Sequence, residues 1–450
     1  MEGKLPELSQ LKQPRLAVGY ECTPIGNAER LFGEPRDVLD ATRHYEQFEY
    51  DFDLQHELGV RELRYPACWD KVLVAPYEYD FKPIEPIMES MRRRGFVPTI
   101  DLCHHKVPKK IKDGFANPEF PNHLLDFALA FQKTFPFIER FTIINEPAVT
   151  ALFHSTEVGI WAKHKWSDVF LNMAEAISTV SRALKERNPR IEFFQPEPID
   201  HDAVAENADA ELVAHVGFLR EHERFGMDNL LAGKIDEAHP FFERLIDKGA
   251  NRARVLRFQK NPAEPYQKDL DFYAHCFKIW FRNRGGHITH RINPNPPSLS
   301  AVIAYYKSRL PDMRLGIGET NVRGNVRDRI TFFKWVLEQC AIAKIKRVSW
   351  WGLTDADMWG GGNFTRWWRQ RSPDPVGIYT LTDDAEKGRL WTRNPNEFSE
   401  IVKAYGNNQI SIVDIPAYEF SGEMKTVLSG FARQHMKHWF EKRKVYAEVV

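Results

Sequence analysis

FTIINEP, residues 141–147, decides how this chain is to be read. The apolar run from Phe141 to Ile144 stops at Asn145, Glu146 and Pro147, residue types that a buried strand does not carry in its middle. Downstream, 166–188 carries the spacing of an amphipathic helix. An apolar run, a polar end and a helical pattern make one β/α unit, and the same order recurs in both directions along the chain. It predicts strands at 16–20, 63–65, 97–102, 140–144, 191–194, 272–277, 315–317 and 347–351. Helical stretches fall at 51–58, 84–94, 122–134, 166–188, 298–309 and 328–342. Eight such units suit a closed (β/α)8 TIM barrel better than an open doubly wound sheet, whose GxGxxG signature after the first strand is absent. The reading is a single catalytic domain over 1–405. A helical, charged insertion at 203–265 stands where barrel enzymes carry substrate-shaping loops. A short C-terminal extension, 406–450, is expected to be strand-like or irregular at 410–420 and to end in a basic, aromatic helix at 423–446 packed on the barrel.

Composition excludes some partners. Lys plus Arg and Asp plus Glu are 62 each, a formal net charge of +0, so no global positive field points to nucleic acid or an anionic membrane. No apolar run approaches the ~18 residues of an integral membrane segment. The first twenty residues show no apolar core or cleavage site of a signal peptide, so a cytoplasmic protein is expected. Five cysteines, with no CxxC pair, predict buried free thiols in a reducing compartment. No cofactor is expected, and oligomeric state is not written in the sequence. Asp101, His104 and His105, and separately His287 and His290, are close enough in sequence to suggest a metal site. Such a site is rejected because successive strand residues point to opposite faces and the second pair lacks a third ligand.

In a barrel the chemistry gathers where the strands end. At or just beyond the ends of the eight runs stand Glu21 and Cys22; Arg64 and Trp69; Asp101, His104 and His105; Asn145 and Glu146; Gln195 and Glu197; His275; Glu319 and Asn321; and Trp350, Trp351, Asp355, Asp357 and Trp359. Polar groups belong at the ends of buried strands only if they pair or work. Glu146 and Glu319 stand out, because two carboxylates from different strands can flank a glycosidic bond, one protonating the leaving oxygen and the other attacking the anomeric carbon. The acid needs a raised pKa, supplied by burial or a nearby negative charge; the nucleophile must stay ionised, which a neighbour such as Arg64 favours.

The same stretches resemble glycoside hydrolase family 1, in the family's order, over roughly 14–405. FTIINEP resembles its T-x-N-E-P acid/base motif, and GIGET at 316–320 its nucleophile segment. LRYPACW at 63–69, DLCHHKVP at 101–108, WGLTDADMW at 351–359 and VGIYTLT at 376–382 match further segments. The resemblance implies a retaining β-glycosidase with Glu146 as acid/base and Glu319 as nucleophile. It implies sugar or site contacts from Glu21, Arg64, His104, Asn145, Trp351, Asp357 and Trp359, and a carbohydrate or glycoside as the partner. The chain also departs from the family: Glu21 stands near a sugar-binding Gln, Met358 replaces a Glu, the nucleophile loop reads ETNV, and the sixth-strand Tyr that bonds the nucleophile aligns with Phe277. Changed glycone recognition is therefore expected. The basic cluster RWWRQR at 366–371 is read as a solvated loop. Two alternatives stand beside hydrolysis: a transglycosidase that uses an alcohol acceptor on the same two glutamates, and a non-catalytic carbohydrate-binding barrel.

Overall fold

The computed structural model describes residues 12–20, 24–25, 36–155, 164–356 and 373–421. Eight strands line up around one axis: β1 (Arg15–Gly19), β2 (Glu62–Pro66), β3 (Val97–Asp101), β4 (Arg140–Thr142), β5 (Glu192–Pro198), β6 (Tyr266–Phe272), β7 (Arg314–Thr320) and β8 (Arg347–Trp351). Each pairs in parallel with its neighbour in sequence. β8 returns to β1, from Arg15 opposite Arg347 to Gly19 opposite Trp351, and closes the barrel. Seven strands fall where the sequence places them.

The strands are short and almost wholly buried because helices cover their outer face. Val326–Ile342, between β7 and β8, illustrates the fit. Asn325 caps its first turn, accepting from the Asp328 N–H at 2.9 Å. Phe333 packs edge-on against Trp350 of β8 and Phe398 of the last described helix, Glu397–Gly406. The floor of the barrel is ionic. Arg347 reaches Asp269 at 3.1 Å and Glu62 at 3.2 Å, while Arg140 bridges Glu62 and Glu192. The charges at the closed end are thus spent on each other, as buried charges must be.

The sixth strand corrects the sequence reading. It runs Tyr266–Phe272, not 272–277, and His275 is not on the wall. The run YQKDLDF looks too charged for a buried strand, yet its charges are matched: Lys268 meets Asp228 at 2.9 Å with both side chains 1% exposed, and Asp269 meets Arg347. After a 3-10 turn at Ala274–Cys276, the chain joins a three-stranded sheet outside the barrel that the sequence reading did not anticipate. Its members are His201–Val204, Phe277–Arg282 and Ile288–Ile292. The insertion between β5 and β6 is otherwise helical, as expected.

The expected boundary at 405–406 falls at the end of the helix Glu397–Gly406. Beyond it the described residues, to Ser421, are irregular apart from a 3-10 turn at Ile412–Asp414. The Lys334 ammonium ties it down by donating to the carbonyls of Val413 and Ile415. The expected terminal helix at 423–446 lies outside the described residues. Cys103, Cys276 and Cys340 are buried free thiols and Cys68 a half-buried one; Cys22 lies outside the described residues. No described helix is long and apolar enough to cross a membrane.

Candidate active site

Arg64, 3% exposed on β2, organises the open end of the barrel. One guanidinium nitrogen donates to Glu319 at the end of β7. Another donates to Asp101 Oδ2 at 2.5 Å and Asn145 Oδ1 at 2.6 Å. A planar fork with several donors ties three strand ends at once, which a lysine could not do. Burial alone would push Asp101 up, but the positive charge of Arg64 and the bond with His104 hold it below the usual carboxylate range. Because the Asn145 oxygen is taken, its amide nitrogen faces the imidazoles, 3.1 Å from His104 Nε2 and 3.2 Å from His105 Nε2. Burial lowers the pKa of His104.

The two imidazoles on one amide correct the alternation argument made from sequence. His104 and His105 lie beyond the last residue of β3, and His105 has φ +53°, so strand parity does not govern them. Among the described residues, no three His, Cys, Asp or Glu side chains are grouped to hold a metal ion.

Glu146 also has a left-handed backbone, φ +38°. A residue before proline favours extended conformations, so this geometry costs of the order of 1–3 kcal/mol and has to be held in place. Pro147 opens the helix Pro147–Phe153, and the Thr150 N–H bonds the Glu146 carbonyl at 2.8 Å. Glu197 on β5 accepts the Ala148 N–H at 2.6 Å. The Glu146 side chain meets His105 Nε2 at 3.4 Å. Burial pushes its pKa up, but the bond and charge of His105, the charge of His104 and a hydrogen bond from Asp271 leave it below its ordinary value. That direction is opposite to the expected one. Glu197, by contrast, is pushed up to about 8, first by burial, with Glu146 and Asp228 adding to it.

Glu319 receives a second donor, the Tyr273 hydroxyl, at 2.9 Å from Oε2. The sequence reading missed Tyr273. Placing the strand at 272–277 matched the family's tyrosine to Phe277, which is a fully buried residue of the outer sheet. With the observed strand, Tyr273 directly follows its end, and that departure from the family disappears. Glu319 reaches the mouth through a β-bulge. β6 and β7 pair as Leu270 with Ile317 and then Asp271 with Glu319, stepping over Gly318. Simple alternation from Gly316 would send Glu319 to the helix layer, and the extra residue reverses this. A Cβ on Gly318 would lie 2.6 Å from Asp271 Oδ1 and 2.7 Å from Asp269 Cβ, so the step requires glycine. Asp271, also missed, is fully buried beside both glutamates. Its pKa is raised well above the usual range by burial, then by the charges of Glu319 and Glu146.

The structure thus brings Arg64, His104, Asn145, Glu146 and Glu319 together. Trp351 lies at the end of β8, and its carbonyl accepts from Asn321 Nδ2 at 2.7 Å. Trp350 is core, and Asp355 is engaged by Arg329 and the Gly377 and Leu381 N–H groups. Glu21, Asp357, Met358, Trp359 and the 366–371 cluster lie outside the described residues.

The fold matches solved structures of family 1 β-glucosidase from Thermotoga maritima. The complex with glucoimidazole superposes with a TM-score of 0.68 at 14% identity, covering 88% of this chain and 97% of that one. Another structure of the enzyme gives 0.67 at 14% identity over 89% and 99%. Sequence likeness is distant. The chain is 25% identical over 142 residues to β-glucosidase A of Thermotoga maritima, 30% of each chain. It is 24% identical over 149 residues to the probable inactive β-glucosidase 14 of Oryza sativa subsp. japonica, 31% of this chain and 29% of that one. It is 27% identical over 139 residues to human Klotho, 28% of this chain and 14% of that one. The matched segment thus spans less than a third of these curated relatives. No protein-family profile matches the chain.

Proposed function

We propose that the protein is a retaining glycoside hydrolase acting on β-linked glycosides by double displacement. The observation that carries this reading is the pair Glu146 and Glu319, just beyond β4 and at the end of β7 on one barrel mouth, with Glu319 held by Arg64 and Tyr273 and Glu146 beside His105. Glu319 attacks the anomeric carbon and becomes a glycosyl ester while the leaving oxygen takes a proton from Glu146. Water, deprotonated by Glu146, then releases the sugar. Arg64 and the Tyr273 hydroxyl each donate to one oxygen of Glu319 and fix its direction. Asn145 and His104 are assigned to sugar hydroxyls, as are Glu21 and Asp357. Trp351 and Trp359 are assigned to the faces of the sugar rings. The proposed setting is cytoplasmic, and residues 406–450 are proposed as an extension packed on the barrel.

Aryl β-glycosides that differ in the sugar provide the test. Glu319→Gln should abolish turnover, a loss of at least about 10³-fold. Glu146→Ala should be slow, and azide should restore it on substrates with good leaving groups, giving a β-glycosyl azide. Full activity in either variant rejects the assignment. Likeness to a rice relative named as inactive favours a second reading, a carbohydrate-binding barrel without turnover. Sugar binding by a wild-type protein that hydrolyses none of the glycosides would select it.

A further inference from the structure

One acid at the site has no task in this double displacement. Asp271 is the last inward residue of β6, 0% exposed and in register with Glu319. Among the described residues no donor reaches either of its oxygens. The groups that face it are Glu319 from β7, Glu146 from beyond the end of β4, Arg64 from β2, and Asp269 and Tyr273 from its own strand and the turn after it. Arg64 acts on Asp271 by its charge while donating to Glu319, Asp101 and Asn145. The neighbouring acid without a place in that network is Glu146, and Asp271 and Glu146 each act on the other. Two carboxylates cannot bond to each other, but a carboxyl and a carboxylate can.

We propose that Asp271 and Glu146 form a carboxyl pair sharing one proton, so that Asp271 positions and stores the proton that Glu146 delivers. The proposal rests on the glycosidase reading above and adds a residue to it. The opposite pKa directions of the two acids agree with a shared proton, Asp271 raised and Glu146 lowered. Such a pair titrates as a unit.

The charges balance through the cycle. At the start Glu319 is ionised and the pair carries one negative charge. When Glu319 attacks, the bond from the anomeric carbon to the leaving oxygen breaks, and that oxygen takes the pair's proton through Glu146. Glu319 is now a neutral ester, which removes one of the charges that kept Asp271 protonated, and both members of the pair are ionised. Glu146 is then a stronger base than a lone glutamate beside a neutral partner. It takes a proton from the attacking water, the ester bond to the anomeric carbon breaks, Glu319 regains its charge, and the pair is again singly protonated. No other reagent enters.

Two measurements test this. Infrared spectra of the wild-type protein, with aspartate or glutamate 13C-labelled at the side-chain carboxyl, should show a protonated carboxyl persisting through neutral pH that moves on aspartate labelling. Asp271→Asn should remove it. Absence of any such band at pH 7 overturns the proposal even if the variant fails to fold. The second measurement is the pH dependence of kcat/KM on an aryl β-glycoside. Removing the last proton of the wild-type pair leaves three carboxylates together. In Asp271→Asn it leaves two, and the amide can donate to Glu146, so the alkaline limb should move down by at least one pH unit. An unmoved limb overturns the proposal. A wild-type protein that turns over no glycoside sinks the glycosidase reading while the infrared result still stands. An active enzyme without the band sinks the proton pair alone.

Discussion

The surroundings of Glu319, the proposed nucleophile, were half visible in the sequence, and Tyr273 shows which half. Arg64 and Glu319 each end an apolar run, so their burial and partnership follow from pattern. Tyr273 ends a run whose apolar character is masked by Lys268, Asp269 and Asp271. Those charges read as exposed until Asp228 and Arg347, distant in sequence, are seen to match two of them. Its hydroxyl is one of two donors to Glu319 among the described residues. Tyr273→Phe should lower kcat about 10- to 100-fold, by analogy with removing one donor from a preorganised site. The unfolding midpoint should shift little, because the ring is kept. Steady-state kinetics beside a urea titration check both halves, and an unchanged kcat would remove Tyr273 from the machinery.

Among the elements, the helix Pro147–Phe153 bears most directly on the chemistry, since it starts where Glu146 turns. Glu197 on β5 holds its first turn by accepting the Ala148 N–H. With a folded pKa of about 8 against about 4.3 unfolded, the fold favours the protonated acid. That contribution is complete below about pH 4.3 and is lost as pH rises through about 8. Glu197→Gln keeps an acceptor for Ala148 and does not titrate. Relative to wild type the variant should therefore gain stability across that window, by about 3–5 kcal/mol at the alkaline end, with a flat difference at lower pH. Urea midpoints at pH 4, 6 and 8.5 provide the check; a pH-independent difference would mean that Glu197 ionises freely. None of this was legible beforehand. The sequence shows a carboxylate after an apolar run but not the amide of another strand's helix waiting for it.

Across the whole molecule, the architecture was readable because a barrel needs only a repeated order of apolar run and amphipathic helix. The outer sheet was not, since its strands are half-buried and take their partners from both sides of β6. The seam where the first and last units meet is fastened by a buried ion pair. Arg393 donates to Asp51 at 2.7 Å and to the Thr42 carbonyl, joining the hairpin after β8 to the helix His44–Glu57. Arg393→Met leaves the buried Asp51 with His44, at 2.7 Å, in place of two partners, and should cost up to about 3–5 kcal/mol, seen as a lower urea midpoint. A midpoint equal to wild type would show that the seam closes without it. Gly318 has a wider consequence. Beneath it β7 is wall and keeps the two-residue beat of its neighbours; above it the beat is inverted and the strand presents a reagent. An inheritance of fold without sequence can preserve the wall through any substitutions that keep the beat. The aim of Glu319, however, hangs on one residue too small to be noticed: a side chain there that forced the strand back to plain alternation, with no residue removed, would turn Glu319 toward the helices.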